Sequence, residues 1–305
     1  MVNSQRESIF GHISRGNIPR NNMVVIVELL ISRIRNISTL PAIVFEIIKT
    51  TNNPASSARD LNNIVTKDQA IAAKLLQMAN SSYYGLSTKV KDLERAIALL
   101  GFNTVRSLAL SISILDHFNG VSSSEYFNHG KFWEHSMGVA VLSKMLAEKW
   151  GKKFNPEEAY IGGLLHDLGI IVLDQFSHED FAKILLLIYE SDIDFLEAEK
   201  MVIGHDHAYL GAELAASWDF PELLITMISK HHNPEYNGNY TDYCHMVYLA
   251  NVLDYIFTYS EDKRVPKLNE MVLQKFIPDD EQMGILRVKF ETEMESNRAI
   301  LKLFH

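Results

Sequence analysis

The chain has one cysteine, Cys244, among its 305 residues, so no intrachain disulfide can form and a reducing compartment is expected. No apolar run reaches membrane-spanning length, and the first twenty residues are polar, without the apolar centre of a signal peptide. Basic residues are in short supply: 29 Lys and Arg against 38 Asp and Glu leave a formal charge of −9. That excludes a dominant electrostatic grip on nucleic acid, although a local basic groove for a phosphate ligand stays open. There is no glycine-rich loop of the Walker or dinucleotide-binding type. No stretch alternates with period two for long enough to predict a sheet, and no internal repeat or low-complexity tract occurs. These absences point to a cytoplasmic protein with neither a membrane nor a strong nucleic-acid partner.

What is present is apolar and helical in period. Hydrophobic residues make up 47% of the chain, enough for a substantial core. Residues 1–22 form a polar N-terminal segment. Helices are then predicted over 23–35, 41–50, 68–80, 92–100 and 103–118, with a capping box at Ser57–Asp60 and a loop at 81–88 containing Gly85. The stretch 119–130, rich in Gly, Ser and Asn, predicts a boundary. Beyond it helices are expected over 131–150, 155–176, 178–190, 195–203, 207–218, 221–231 and 242–259, with two more in 278–305. The predicted fold is all-α, a multi-helix bundle. Its divisions are an N-terminal helical subdomain (23–120), a second helical subdomain (121–260) and a C-terminal helical extension (261–305).

The chemistry gathers in the second subdomain. Inside the run 155–176, which opens with the N-cap Asn155 and Pro156, the sequence inserts His166 and Asp167 into an otherwise apolar face. Burying both is costly unless each finds a partner. A metal ion satisfies both together, and so does an ordinary hydrogen bond within the core. Four further clusters join them. His135 starts one helix, His205-Asp206-His207 opens another, His231-His232 closes a third, and Asn251 and Asp254 lie three apart on a fourth. Individually these read as helix caps or surface polar groups. Together they place an imidazole or oxygen donor at the end or inner face of several helices of one bundle, which favours a metal site.

Trp133–His135, Gly163-Leu164-Leu165-His166-Asp167-Leu168-Gly169, His207-Ala208-Tyr209-Leu210-Gly211-Ala212 and the segment from Trp218 to His232 resemble the HDOD family. This is the HD-related output domain of bacterial signalling proteins, within the HD and HD-GYP phosphohydrolase superfamily. Residues 64–85 and 96–101 resemble the family's first subdomain, so the resemblance covers roughly 38–259. It implies an HD-domain-like metal-site subdomain in which His135, His166 and Asp167 bind metal and Asp167 bridges two ions. His207, His231 and His232 would then surround the second ion, and one of Asn251 or Asp254 would complete the set. The implied cofactor is a divalent metal, two ions, with iron or manganese favoured over zinc or nickel.

Three departures from the superfamily pattern bear on activity. Asn251 stands where an Asp is usual, Ile170 where a Lys or Arg is frequent, and the Gly-Tyr-Pro signature is missing after His232. The expected role is therefore signal transduction through a protein partner or a nucleotide-type ligand. The alternative is a metal-dependent phosphohydrolase, a phosphodiesterase on a nucleotide-type substrate, with Asp167 as its catalytic carboxylate. Two weaker candidates carry a blander reading. Cys244 sits on a helix that reads as core, and Tyr83 and Tyr84 beside Lys89 and Lys91 read as loop packing rather than base stacking.

Overall fold

A computed structural model of the chain describes residue 32 and residues 42–51, 53, 55–80, 88–118, 127–191, 193–258 and 266–301. The polar segment 1–22, most of the predicted helix 23–35, most of the loop 81–88 with Tyr83 and Tyr84, and residues 119–126 of the predicted boundary lie outside the described residues.

Among the described residues every regular element is a helix. The first group is α1 (Ala42–Thr51), α2 (Ala58–Val65), α3 (Gln69–Ala79), α4 (Leu93–Leu100) and α5 (Phe102–Phe118). Local chemistry sets their starts. Ser57 and Asp60 form the expected capping box on α2, and the Asp68 carboxylate accepts the Ala70 and Ile71 amides to open α3. Gly101, at φ +88°, ends α4 and lets α5 leave at an angle. α5 packs against α1, α3 and α4 on one side and α7 on the other.

The second group is α6 (His129–Lys149), α7 (Pro156–Leu165), α8 (Leu168–Phe176), α9 (His178–Ser191) and α10 (Phe195–Ile203). It continues with α11 (His207–Ser217), α12 (Glu222–Lys230) and α13 (Thr241–Thr258). α6 is the spine, lying along both α7 and α13, while α11 packs on α8 and α12. Two helices follow, α14 (Glu270–Phe276) and α15 (Asp280–Leu301), and α15 lies on α6 through Phe290 and Met294. Of the two helices expected in 278–305, one, α15, is found among the described residues of that range, and α14 precedes it. Buried apolar residues of both groups form one continuous cluster.

One correction shapes the site. The predicted single helix 155–176 is two, α7 and α8, broken at His166-Asp167. Asp167 takes φ −95°, ψ 18°, outside the helical well. The apolar period continues through the break, which is why the pattern alone reads as one helix. The kink turns both side chains toward the same point. It is held by close crossing of α8 and α11 at Gly169 and Gly211, where a Cβ on Gly169 would run into the His207 carbonyl.

Candidate metal centre

Asp167 sits at the middle of the bundle, 6% exposed, with an imidazole on each side of each carboxylate oxygen. Its Oδ1 lies 3.1 Å from His207 Nε2 and 3.4 Å from His231 Nε2. Its Oδ2 lies 3.2 Å from His166 Nε2 and 3.7 Å from His135 Nε2. His232 joins the first group, its Nε2 2.9 Å from that of His207. Four places in the bundle supply these donors: α6 gives His135, the α7–α8 break His166 and Asp167, α11 His207, and the end of α12 His231 and His232.

The far nitrogens decide what these rings can do. His166 Nδ1 faces the Gly163 carbonyl at 2.7 Å, and His231 Nδ1 faces the Ile228 carbonyl at 2.7 Å. His135 Nδ1 meets the Asp254 carboxylate at 2.6 Å, and His207 Nδ1 meets Glu199 at 2.9 Å. Carbonyls and carboxylates only accept, so each Nδ1 carries the hydrogen and donates it. In the neutral rings all four Nε2 lone pairs then converge on one carboxylate and on each other. Lone pairs pointed at a carboxylate repel unless a cation or proton stands between them. His135 Nε2, His166 Nε2 and Asn251 Oδ1 are buried without a hydrogen-bond partner. The donor set therefore fits a divalent metal, with neutral imidazole and ionised carboxylate as ligands and an acceptor behind each ring. The ligand atoms divide into two sets that share Asp167, one of Asp167, His207, His231 and His232, the other of His135, His166 and Asp167.

Electrostatics follow from burial. The fully buried His166 is pushed down to about 4, because desolvation outweighs the pull of Asp167. Burial would raise the Asp167 carboxyl, but the imidazoles of His166, His207 and His231 hold it well below the usual carboxylate range. His207 is raised well above the ordinary histidine value: burial opposes its charge, and the Glu199 and Asp167 carboxylates more than offset that. His232 is lowered by burial and by its imidazole neighbours.

The remaining candidates fall into clear places. Asp254 stands behind His135 and holds that ring, and Asn251 lies in the same buried neighbourhood with its amide oxygen unpartnered. His205 is exposed and stacks on Tyr209, and Asp206 caps α11. His231 combines two readings, closing α12 through its Nδ1 while turning Nε2 inward. Cys244 is fully buried with its thiol pushed up to about 12 by that burial, so it is core. Residues of the site not singled out from the sequence are Glu199, fully buried behind His207, and the carbonyls of Gly163 and Ile228. Glu199 was findable. It shares the stripe of Val202 and Ile203, the buried face of α10.

A cavity of about 370 Å³ opens beside His135 and Asp254, walled by Glu134 and Phe257 and, on α15, by Phe290 and Met294.

Fold and site together define an all-helical protein built around a carboxylate-centred histidine cluster. The chain belongs to the HDOD family, whose domain model matches residues 37–234. It resembles an HDOD domain protein of Geobacter sulfurreducens (24% identity, TM-score 0.73, covering 92% of this chain and 99% of that one). It also resembles a Shewanella amazonensis SB2B chain provisionally described as a phosphohydrolase (23% identity, TM-score 0.73, 90% and 98% covered). At these identities the likeness is one of fold. An uncharacterised protein of Treponema pallidum is 27% identical over 246 residues, 79% of this chain. The chain spans 47% of that relative's length. No helix among the described residues is long and apolar enough to cross a membrane.

Proposed function

We propose that this chain is a bacterial signal-transduction protein of the HDOD family whose His/Asp cluster would hold two divalent ions, with Asp167 among the donors to both. It acts mainly by binding a protein partner or a nucleotide-type ligand. The observation that carries the metal assignment is the convergence of four Nε2 atoms on the two oxygens of one buried carboxylate, each ring fixed from behind through its Nδ1. His207, His231 and His232 would hold one ion and His135 and His166 the other, with Asn251 Oδ1 beside the second set. Imidazole and carboxylate donors suit iron, manganese, zinc or nickel, and of these the family resemblance favours iron or manganese.

The regulatory reading rests on what surrounds the donors. His166 and His231 are fully buried and His207 is 2% exposed, so little of the centre faces a substrate. Ile170, at the position that would bring a cation toward a phosphoryl oxygen, is itself a core residue. The second reading, a phosphohydrolase, draws on His232, which is only half-buried, and on the cavity that reaches His135. A bound metal pair would supply Lewis-acid polarisation of a phosphoryl oxygen. Asp167 would keep both sets of donors in register, and Asp254 and Glu199 would hold the Nδ1–H of His135 and His207, so that each ring turns its Nε2 to the site.

Elemental analysis of the purified chain tests the metal assignment. About two equivalents of a first-row metal are expected, with less than half retained in Asp167→Ala at unchanged helicity. Equal metal content in both proteins would refute it. A panel of cyclic dinucleotides and a generic phosphodiester, assayed on metal-replete protein, then separates the roles. The regulatory reading predicts binding or no response without turnover, and sustained turnover lost in Asp167→Ala establishes the hydrolase.

A further inference from the structure

Away from the cluster the described residues contain one cation whose situation the metal centre does not account for. Arg106, on α5, is 6% exposed and lies in a run of buried residues from Val105 to Ala109. Its Nε and Nη2 are buried, and neither has a hydrogen-bond partner among the described residues. Those two N–H groups form one edge of the guanidinium, the edge that receives two oxygens of a carboxylate or phosphate side by side. The Phe102 ring lies 6.0 Å from the guanidinium carbon and offers no acceptor.

Two buried guanidinium N–H groups without a hydrogen-bond partner are among the costlier arrangements in a folded chain. The nearest carboxylates are committed elsewhere. Glu157 accepts from Lys144 Nζ at 2.7 Å and from Thr104 Oγ1 at 3.3 Å, and Glu158 meets the Tyr243 hydroxyl at 3.2 Å. Both raise the Arg106 pKa through space, but burial is the larger influence and leaves it below the usual arginine value. The guanidinium thus feels two anions without bonding to either. These same contacts tie α5, α6, α7 and α13 together, so Arg106 lies at the seam between the two helical groups.

We propose that Arg106 anchors an oxyanion-binding site, taking a phosphate or carboxylate group of a small ligand on its Nε–Nη2 edge at the seam between α5 and α7. The site is separate from the His/Asp cluster. Glu157 and Glu158 start α7 and His166 follows its end, about 14 Å further along at 1.5 Å per residue. Thr104 and Lys144, already gathered around Glu157, are the polar groups placed to turn toward an arriving anion. Occupancy would bridge the two helical groups through α7, the helix that also delivers His166 and Asp167.

The test uses the full chain with inorganic phosphate and, separately, acetate, at constant ionic strength set with chloride. Calorimetry and thermal denaturation are read together. The wild type should show a saturable response, to phosphate if the ligand is a phosphate and to acetate if it is a carboxylate. Arg106→Lys keeps the charge and loses the two-pronged edge, so its affinity should fall at least about tenfold. Phosphate held at the metal centre would be unaffected by that change, so an equal response in Arg106→Lys overturns the proposal, as does no saturable response in the wild type. Should Arg106→Lys fail to fold, wild-type crystals soaked in tungstate decide. Tungstate on Nε and Nη2 upholds the site, and water or a Glu157 or Glu158 carboxylate in that place refutes it.

Discussion

At the scale of single residues, the cluster is controlled by groups that would never touch a metal. Glu199 accepts both the Nδ1–H and the backbone N–H of His207, so it fixes the ring's tautomer and the start of α11 together. Glu199→Gln keeps the shape but removes the charge, and its amide can present an N–H to Nδ1 and turn the tautomer around. Metal affinity should fall about 10–100-fold, read by competition with a chromophoric chelator, at little change in helicity. An unchanged affinity would mean that His207 is not a ligand. His207 also sets the pH response. In metal-free protein its pKa stands well above the ordinary value, so near neutral pH it carries a proton on the nitrogen a metal needs. His166, lowered to about 4, carries none there. Metal binding at neutral pH should therefore release a proton from His207, and apparent affinity should rise with pH until that raised pKa is passed. Calorimetry in buffers of different ionisation enthalpy counts the proton. Zero release would remove His207 from the site.

At the scale of elements, the fold was readable wherever a boundary is written in local chemistry. Asp68, Asn155 and Asp206 announce helix starts that the backbone obeys within a residue or two, because a side-chain oxygen on a free amide is a local interaction. The break at His166-Asp167 was not readable, since the apolar period runs through it and only packing against α11 shows why the chain bends. In the same way the residue types of the site were legible in the pattern, while the sharing of Asp167 between two groups of rings was implied only by the family resemblance, because it depends on helices meeting. From sequence Asp254 could be a donor or a support; the structure sets its Oδ2 2.6 Å from His135 Nδ1, behind that ring. The α8–α11 crossing offers a direct check. Gly169→Ala puts a methyl against the His207 carbonyl, and backbone cannot swing aside as a long side chain can. A loss of about 1–3 kcal/mol in urea denaturation is expected, together with metal loss out of proportion to it, because the shift separates His207 from Asp167. Full stability with full metal content would show that the crossing does not position the site.

At the scale of the whole molecule, the question is how anything reaches a centre whose donors are nearly all buried. The cavity beside His135 supplies a route, and its outer wall is α15, beyond the stretch that the HDOD model matches. Phe290 is 3% exposed and Met294 7%, so α15 is a packed wall rather than a loose tail. Phe290→Ala would take a ring out of that wall and cost about 3–5 kcal/mol if the site cannot collapse. The ring touches no donor, so equilibrium metal affinity should stay close to that of the wild type. What should change is kinetics. Stopped-flow chelation should strip metal faster from Phe290→Ala, at a temperature where denaturation curves show both proteins folded. A Val272→Ala change, in the core contact of α14 and outside the cavity lining, controls for general loosening. If both variants lose metal at the same increased rate, the centre is reached by breathing of the whole bundle. If neither differs from the wild type, the metal leaves by the half-buried edge at His232, and α15 has no part in access.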